Sequence, residues 1–220
     1  MNGKYDNIFV MKHINIRNLN IVFTEKSDGN MRDAILRKNF IKKHKLPFPV
    51  LPKQIHSSLV LNTDSHSLEC DGLFTQEQNK ALGVLTADCM PVVLTDFSSL
   101  SVIHAGWRGL IGGIIENALR MFGKKEIFAF IGPSARKCCY EVQEGFAENL
   151  KKTGVSERFF SRFSDRITFS LQELAEEKLK ICGIKEIYDI SLCTICSQNF
   201  FSYRNGNFEE RILTMAWLED

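Results

Sequence analysis

The chain predicts a sandwich of sheets and helices, α/β or α+β, with a mixed sheet inside it. Three observations carry that expectation. Short apolar runs rich in β-branched and aromatic residues recur along the length. Fewer segments, set between them, have apolar residues at helical spacing. The 220 residues are 44% hydrophobic and 25% charged, enough to bury one large core.

Taken in order, the strand-like runs are IFVMKHINI (8–16), NIVFTE (20–25), SSLVLN (57–62), LGVLTA (82–87), MPVVLTD (90–96), LSVIHA (100–105), IFAFIG (127–132), IKEIYDI (184–190) and RILTMAWL (211–218). Helices are expected over 30–44, 109–122, 143–152 and 171–182. The second carries Leu110, Ile111, Ile114, Ile115, Ala118 and Leu119 as its buried stripe. The last opens on SLQE, a capping box with Ser170 at the N-cap and Glu173 at N3. Prolines in HKLPFPVLPK (44–53) force an extended connection, not a domain boundary. One domain spanning 1–220 is the expectation.

A net charge of +2 with no basic stripe argues against nucleic acid as a partner. The one dense basic run, RKNFIKKHK (37–45), reads as the solvated face of a helix. The N-terminal residues lack a signal-like apolar core, and no run reaches the roughly eighteen apolar residues of a membrane span. The expected setting is therefore the cytoplasm, with no membrane partner. Seven cysteines, an odd and scattered set, read as thiols or ligands rather than a disulfide framework.

Chemistry concentrates in LTADCMPVVLTDFSSLSVIHAGWRG (85–109). Of five histidines, His13, His44 and His66 read as surface or loop residues. His56 and His104 stand at strand ends, and Cys89 sits just before Pro91, where a strand breaks. Two imidazoles and a thiolate suit a metal with a fourth position left open. Cys89 with His104 equally suits a nucleophile and its base. The two readings compete, because a thiolate holding a metal is not free to attack. Asp88, beside Cys89, is placed to hold a ligand or handle a proton.

Other signals are weaker. CTIC (193–196) fits half of a four-cysteine zinc site or a redox pair, but no second C-x-x-C exists, and two small residues at a turn is the favoured reading. Adjacent Cys138 and Cys139, if on a strand, point to opposite sides, so that one faces a site. GWRGLIGG places Arg108 at a helix start, where free amides and the helix dipole favour an anion. Arg204 and Tyr203 extend a polar wall.

The blocks TADCMPVVLTD, VIHAGWRGLIGGIIENAL, IGPSARKCCYEVQEGF and CTICSQNFFSYRNG resemble the signature blocks of the YfiH-like family. Its members are named both as polyphenol oxidase (laccase domain) proteins and as purine nucleoside phosphorylases. The resemblance, covering about Lys53 to Arg211, implies a four-layer α/β/β/α sandwich with mixed sheets. It also implies a zinc site of His56, Cys89 and His104, phosphorolysis of adenosine, inosine and methylthioadenosine, and deamination of adenosine. Purine nucleoside and phosphate are then the small-molecule partners of a monomer.

Within that frame Arg108, Arg204 and Lys26 are the expected substrate-binding residues, and Asp88 and Cys139 the expected proton-handling ones. Lys26 stands where the family usually has Arg, which keeps the charge and loses the bidentate fork. The same resemblance leaves a Cys–His amide hydrolase of peptidoglycan precursor editing as the alternative. A copper polyphenol oxidase is disfavoured: a multicopper centre needs more imidazoles than five, and Met90 as axial ligand would have to turn toward the same ion as Cys89.

Overall fold

The computed structural model describes residues 13–123 and 125–220. The first part of the expected strand 8–16 lies outside the described residues. In chain order the elements are β1 (His13–Ile16), β2 (Leu19–Phe23), α1 (Ala34–Lys43), β3 (Val60–Asn62), β4 (Gly72–Thr75), β5 (Leu82–Thr86), β6 (Met90–Thr95), β7 (Leu100–Ala105), α2 (Trp107–Ile111), α3 (Ile114–Arg120), β8 (Phe128–Ile131), β9 (Glu141–Val142), α4 (Glu144–Lys152), β10 (Phe160–Phe163), β11 (Arg166–Phe169), α5 (Leu171–Ile181), β12 (Glu186–Asp189) and β13 (Ile212–Leu218).

Two sheets form the centre. One is antiparallel, in the order β1-β2-β13-β5; the other is mixed, in the order β12-β8-β6-β7-β4-β3. Their inner faces share one core, with Ile21, Phe23, Val84 and Ile212 from the first sheet against Leu73, Val93, Val102 and Phe130 from the second. The outer face of the mixed sheet, including Val92, Leu94 and Ile103, packs under Leu110, Ile114, Ile115 and Ala118 of α2 and α3 and Leu174, Ala175 and Leu179 of α5. Ile41 and Phe40 of α1 close the outer face of the antiparallel sheet, over Val22, Met215 and Trp217. The result is the four-layer α/β/β/α sandwich. Strands of the centre are buried on both faces, which explains their unbroken apolar runs.

Three departures have physical causes. The expected helix 109–122 is two helices, because Gly113 takes a left-handed φ of +86° and breaks the run after Gly112. α1 starts at Ala34 rather than 30, since the Asp33 carboxylate caps it by accepting from the Ile35 and Leu36 amides. β4 and the small sheet β10-β11-β9 were not expected; β4 begins at Gly72, directly after Asp71, a pair that reads as a turn. Gly72 is needed there, since a Cβ would lie 2.7 Å from an Ile103 methyl. Among the described residues no helix is long and apolar enough to cross a membrane.

Candidate metal centre in a basic pocket

β6 and β7 are antiparallel neighbours, and Met90 pairs with Ala105 at their end. That register sets Cys89, one residue before β6, beside His104, the penultimate residue of β7. The loop before β3 brings in His56. One donor atom from each of His56, Cys89 and His104 lies within 4.8 Å of the others, and the two imidazole rings meet edge-on at 5.0 Å. Gly106 makes room for the group: a Cβ there would lie 3.1 Å from the Cys89 sulfur.

Asp71 holds two of the three. It is fully buried, and its carboxylate accepts from the amides of Ile55, His56 and Ser57, from the Ser57 hydroxyl at 2.8 Å and from His104 Nδ1 at 2.8 Å. The His104 amide in turn donates to the Asp71 carbonyl at 2.6 Å. Burial would raise the Asp71 pKa, but the hydrogen bonds from His104 and Ser57 outweigh it and bring it to about 2. His56 is held at a left-handed φ of +59°, strain that the Asp71 contacts and the Gln54 side chain offset. Gln54 donates to the Leu85 carbonyl and accepts from the Leu85 amide, tying the loop to β5.

The electrostatics at the centre are those of a thiolate. Burial opposes ionisation of Cys89, yet the charge of His104 and hydrogen bonds from His104 and His56 bring its pKa down to about 6. For His104 burial works downward, and the Cys89 charge and Asp71 hydrogen bond push it up to about 9. With Asp71 on Nδ1, His104 presents Nε2 to the centre, the arrangement by which a carboxylate orients a metal-bound imidazole.

Above the three donors opens a cavity of about 740 Å³, within the range of small-molecule sites. Trp107, Arg108, Tyr140, Arg204, Arg32 and Arg211 contribute to its wall. Arg108 lies over the Trp107 ring at 4.5 Å and Arg204 over the Tyr140 ring at 4.7 Å, cation–π contacts that hold both guanidinium groups at the wall.

The expected residues fare differently. His56, Cys89, His104, Arg108, Arg204 and Asp88 line the cavity. Asp88, however, is buried with its oxygens engaged: Oδ1 accepts from the Thr194 hydroxyl, and Oδ2 from the Ser202 hydroxyl and the Arg204 amide. It positions the Arg204 segment, and those bonds hold its left-handed φ of +85°.

Lys26 is not in the cavity lining: its short 3-10 turn docks on Asn199, and its ammonium sits 5.9 Å from the Phe201 ring. Arg32 and Arg211 take the place expected of it. Cys139 is also elsewhere. Residues 137–139 form a turn rather than a strand, so the opposite-face argument fails, and Cys138 and Cys139 both join Cys193 and Cys196. Met90 packs into the core under α2 and α3, away from Cys89, as adjacent strand residues must.

Asp71 was missed from sequence, and so were Arg32, Arg211 and Gln54. The signal for Asp71 was an acidic residue inside an apolar run, CDGLF, immediately before a β-strand.

Two imidazoles and a thiolate at the floor of an arginine-lined cavity, carried on a double-sheet sandwich, make a pocket of the class that can hold a metal ion. The chain belongs to the family described as multi-copper polyphenol oxidoreductase laccase, whose model matches residues 16–219. It is 38% identical over 183 residues to a purine nucleoside phosphorylase of Aquifex aeolicus, covering 80% of this chain and 84% of that one. To the Escherichia coli purine nucleoside phosphorylase YfiH it is 29% identical, with 83% and 79% covered. The crystal structure of a Neisseria meningitidis protein superposes with a TM-score of 0.82 at 25% identity, over 93% of this chain and 96% of the other.

Proposed function

We propose that this chain is a zinc-dependent purine nucleoside phosphorylase that takes adenosine, inosine or methylthioadenosine with inorganic phosphate. One observation carries the reading: three metal donors lie at the floor of a nucleoside-sized cavity whose wall is lined by arginines. The relatives named as purine nucleoside phosphorylases support the substrate class.

The donor set fits zinc. His56, Cys89 and His104 would hold it, with Asp71 fixing the His104 tautomer, and a fourth position would face the cavity. Bound there, zinc would supply Lewis acidity at neutral pH. Met90 is turned into the core and so would supply no axial ligand to a copper ion held there.

The chain's own residues would do the binding. Phosphate would be met by Arg108, held over Trp107, and by Arg204, held over Tyr140. Preset groups lose little freedom when an anion arrives. Leu85, Leu171 and Trp107 would pack against the base and keep water from it. Asp88 would keep the Arg204 amide, and so the whole segment, against the cavity wall.

A Cys–His hydrolase is the second reading, because Asp71, His104 and Cys89 also line up as orienter, base and nucleophile. It leaves the second imidazole, His56, without a role.

The test is turnover of adenosine by the purified protein with and without phosphate. Phosphate-dependent formation of adenine and ribose 1-phosphate is expected. Arg108→Ala should raise the phosphate KM about 10- to 100-fold, the loss of a charge-assisted hydrogen bond of about 1.5–3 kcal/mol. Phosphate-independent inosine would replace phosphorolysis with deamination at the same centre. No turnover, with Cys89 readily alkylated in zinc-supplemented protein, would move the assignment to the hydrolase.

A further inference from the structure

A second group of metal-type donors lies outside the cavity. Cys138, Cys139, Cys193 and Cys196 each place a sulfur within 4.8 Å of the other three, and Cys138 and Cys196 are 4.0 Å apart. Four sulfurs around one zinc at about 2.3 Å stand about 3.8 Å from each other, so the group is already near the size of a filled site. The ligands come from two loops, one between β8 and β9 and one following β12.

We propose that these four cysteines hold a second zinc ion, in a closed four-sulfur site that clamps the two loops together. The backbone is built for it. The loops meet through a single parallel bridge, Ser134 with Cys193, in which the Ser134 amide donates to Leu192 and the Thr194 amide to Ser134. Arg136 adds a two-pronged pair to Asp189 at the base of the second loop. Arg136 also lines the same small pocket as Cys138, Cys193 and Cys196, where its charge would offset part of the surplus negative charge that four thiolates give a zinc ion.

The clamp bears on the cavity at both ends. Tyr140 follows Cys139 directly, and the second loop runs on through Thr194 and Ser202 to Arg204, all three tied to Asp88. Zinc at the four sulfurs therefore sets the wall on which Arg204 lies over Tyr140. Binding releases the thiol protons and transfers no electrons, so no oxidant is required. Paired disulfides are the competing fate of the same atoms, and they would exclude the metal.

The experiment is zinc content by elemental mass spectrometry on the full chain, purified in a non-chelating reductant. About two zinc ions per chain are expected in wild type, and about one in Cys89→Ala and in Cys193→Ser/Cys196→Ser. X-ray absorption on Cys89→Ala should show only sulfur around zinc, at about 2.3 Å. Folded, zinc-free Cys89→Ala would overturn the proposal, and so would a mass deficit showing the four sulfurs in disulfides. Should Cys89→Ala not fold, the wild-type spectrum decides. Sulfur must outnumber nitrogen around zinc when both sites fill; a nitrogen-rich shell rejects the second site.

Discussion

The two clusters use overlapping donor chemistry and differ in everything around it. His56, Cys89 and His104 sit at the end of two central strands and its adjoining loop, over a buried Asp71, with His56 and Asp88 held at positive φ by hydrogen bonds. Cys138, Cys139 and Cys196 sit on turns and Cys193 on an isolated bridge, and Cys138 and Cys196 are exposed. The first has three donors at the floor of the arginine-lined cavity; the second has four and borders a smaller, more open pocket lined by Cys138, Cys193, Cys196 and Arg136. Three donors leave a position for substrate, whereas four close the ion off. Positive φ does not by itself separate the two, since Ser191, two residues before Cys193, also lies at +57°; the buried Asp71 beneath the first cluster does. Turns with few buried partners mark a place where the metal would supply the order.

The largest expected effect comes from separating the two. Cys89→Ala should bring nucleoside turnover to background and remove the zinc of the cavity, while the four-sulfur zinc stays. Elemental analysis and the adenosine assay on one preparation read both. A folded Cys89→Ala with no zinc at all would break the comparison, since it would leave no second ion to compare.

A smaller effect is expected from Asp71→Asn. Asn keeps the volume but cannot accept so many donors, and it leaves His104 without its charged orienter. Loss of such a support weakens metal binding about 10- to 100-fold. Competition with a zinc-binding dye should show the cavity site releasing its ion first, with the four-sulfur site unmoved. Equal weakening at both would show that Asp71 acts on the fold rather than on His104.

Much of this was legible in the residues. Long apolar runs announced the central strands, because strands covered on both faces carry little else. Ser170 and Glu173 announced the start of α5. His56, Cys89 and His104 are recognisable near strand ends as three donors for a metal, but it is the family blocks that favour that set over a Cys89–His104 dyad. Topology hid the rest. Asp71 is 33 residues from His104 and meets it only because β4 and β7 are sheet neighbours. The adjacent cysteines were read as strand residues with opposed side chains, and a turn at 137–139 overturned that. No C-x-x-C partner was visible for CTIC because the second pair of donors is contiguous, Cys138-Cys139, and comes from a loop more than fifty positions earlier.

The smallest effect tests whether the outer clamp is held by sulfur or by the helix beside it. Ser170 caps α5 by accepting from the Glu173 amide at 3.1 Å. In the first turn of that helix, Gln172 donates to the Ser134 hydroxyl at 2.7 Å and the Ala135 carbonyl at 2.9 Å, and Glu173 pairs with Lys137. The start of α5 therefore abuts the segment leading into Cys138. Ser170→Ala removes one cap hydrogen bond, a cost of about 1 kcal/mol. For a chain of this size that lowers Tm by about 2–4 °C. Zinc content should stay at the wild-type value and adenosine turnover should not change, because four thiolates, not the cap, would hold the two loops. If Ser170→Ala instead releases the outer zinc, the loops are set by the packing of α5 and the ion only decorates them.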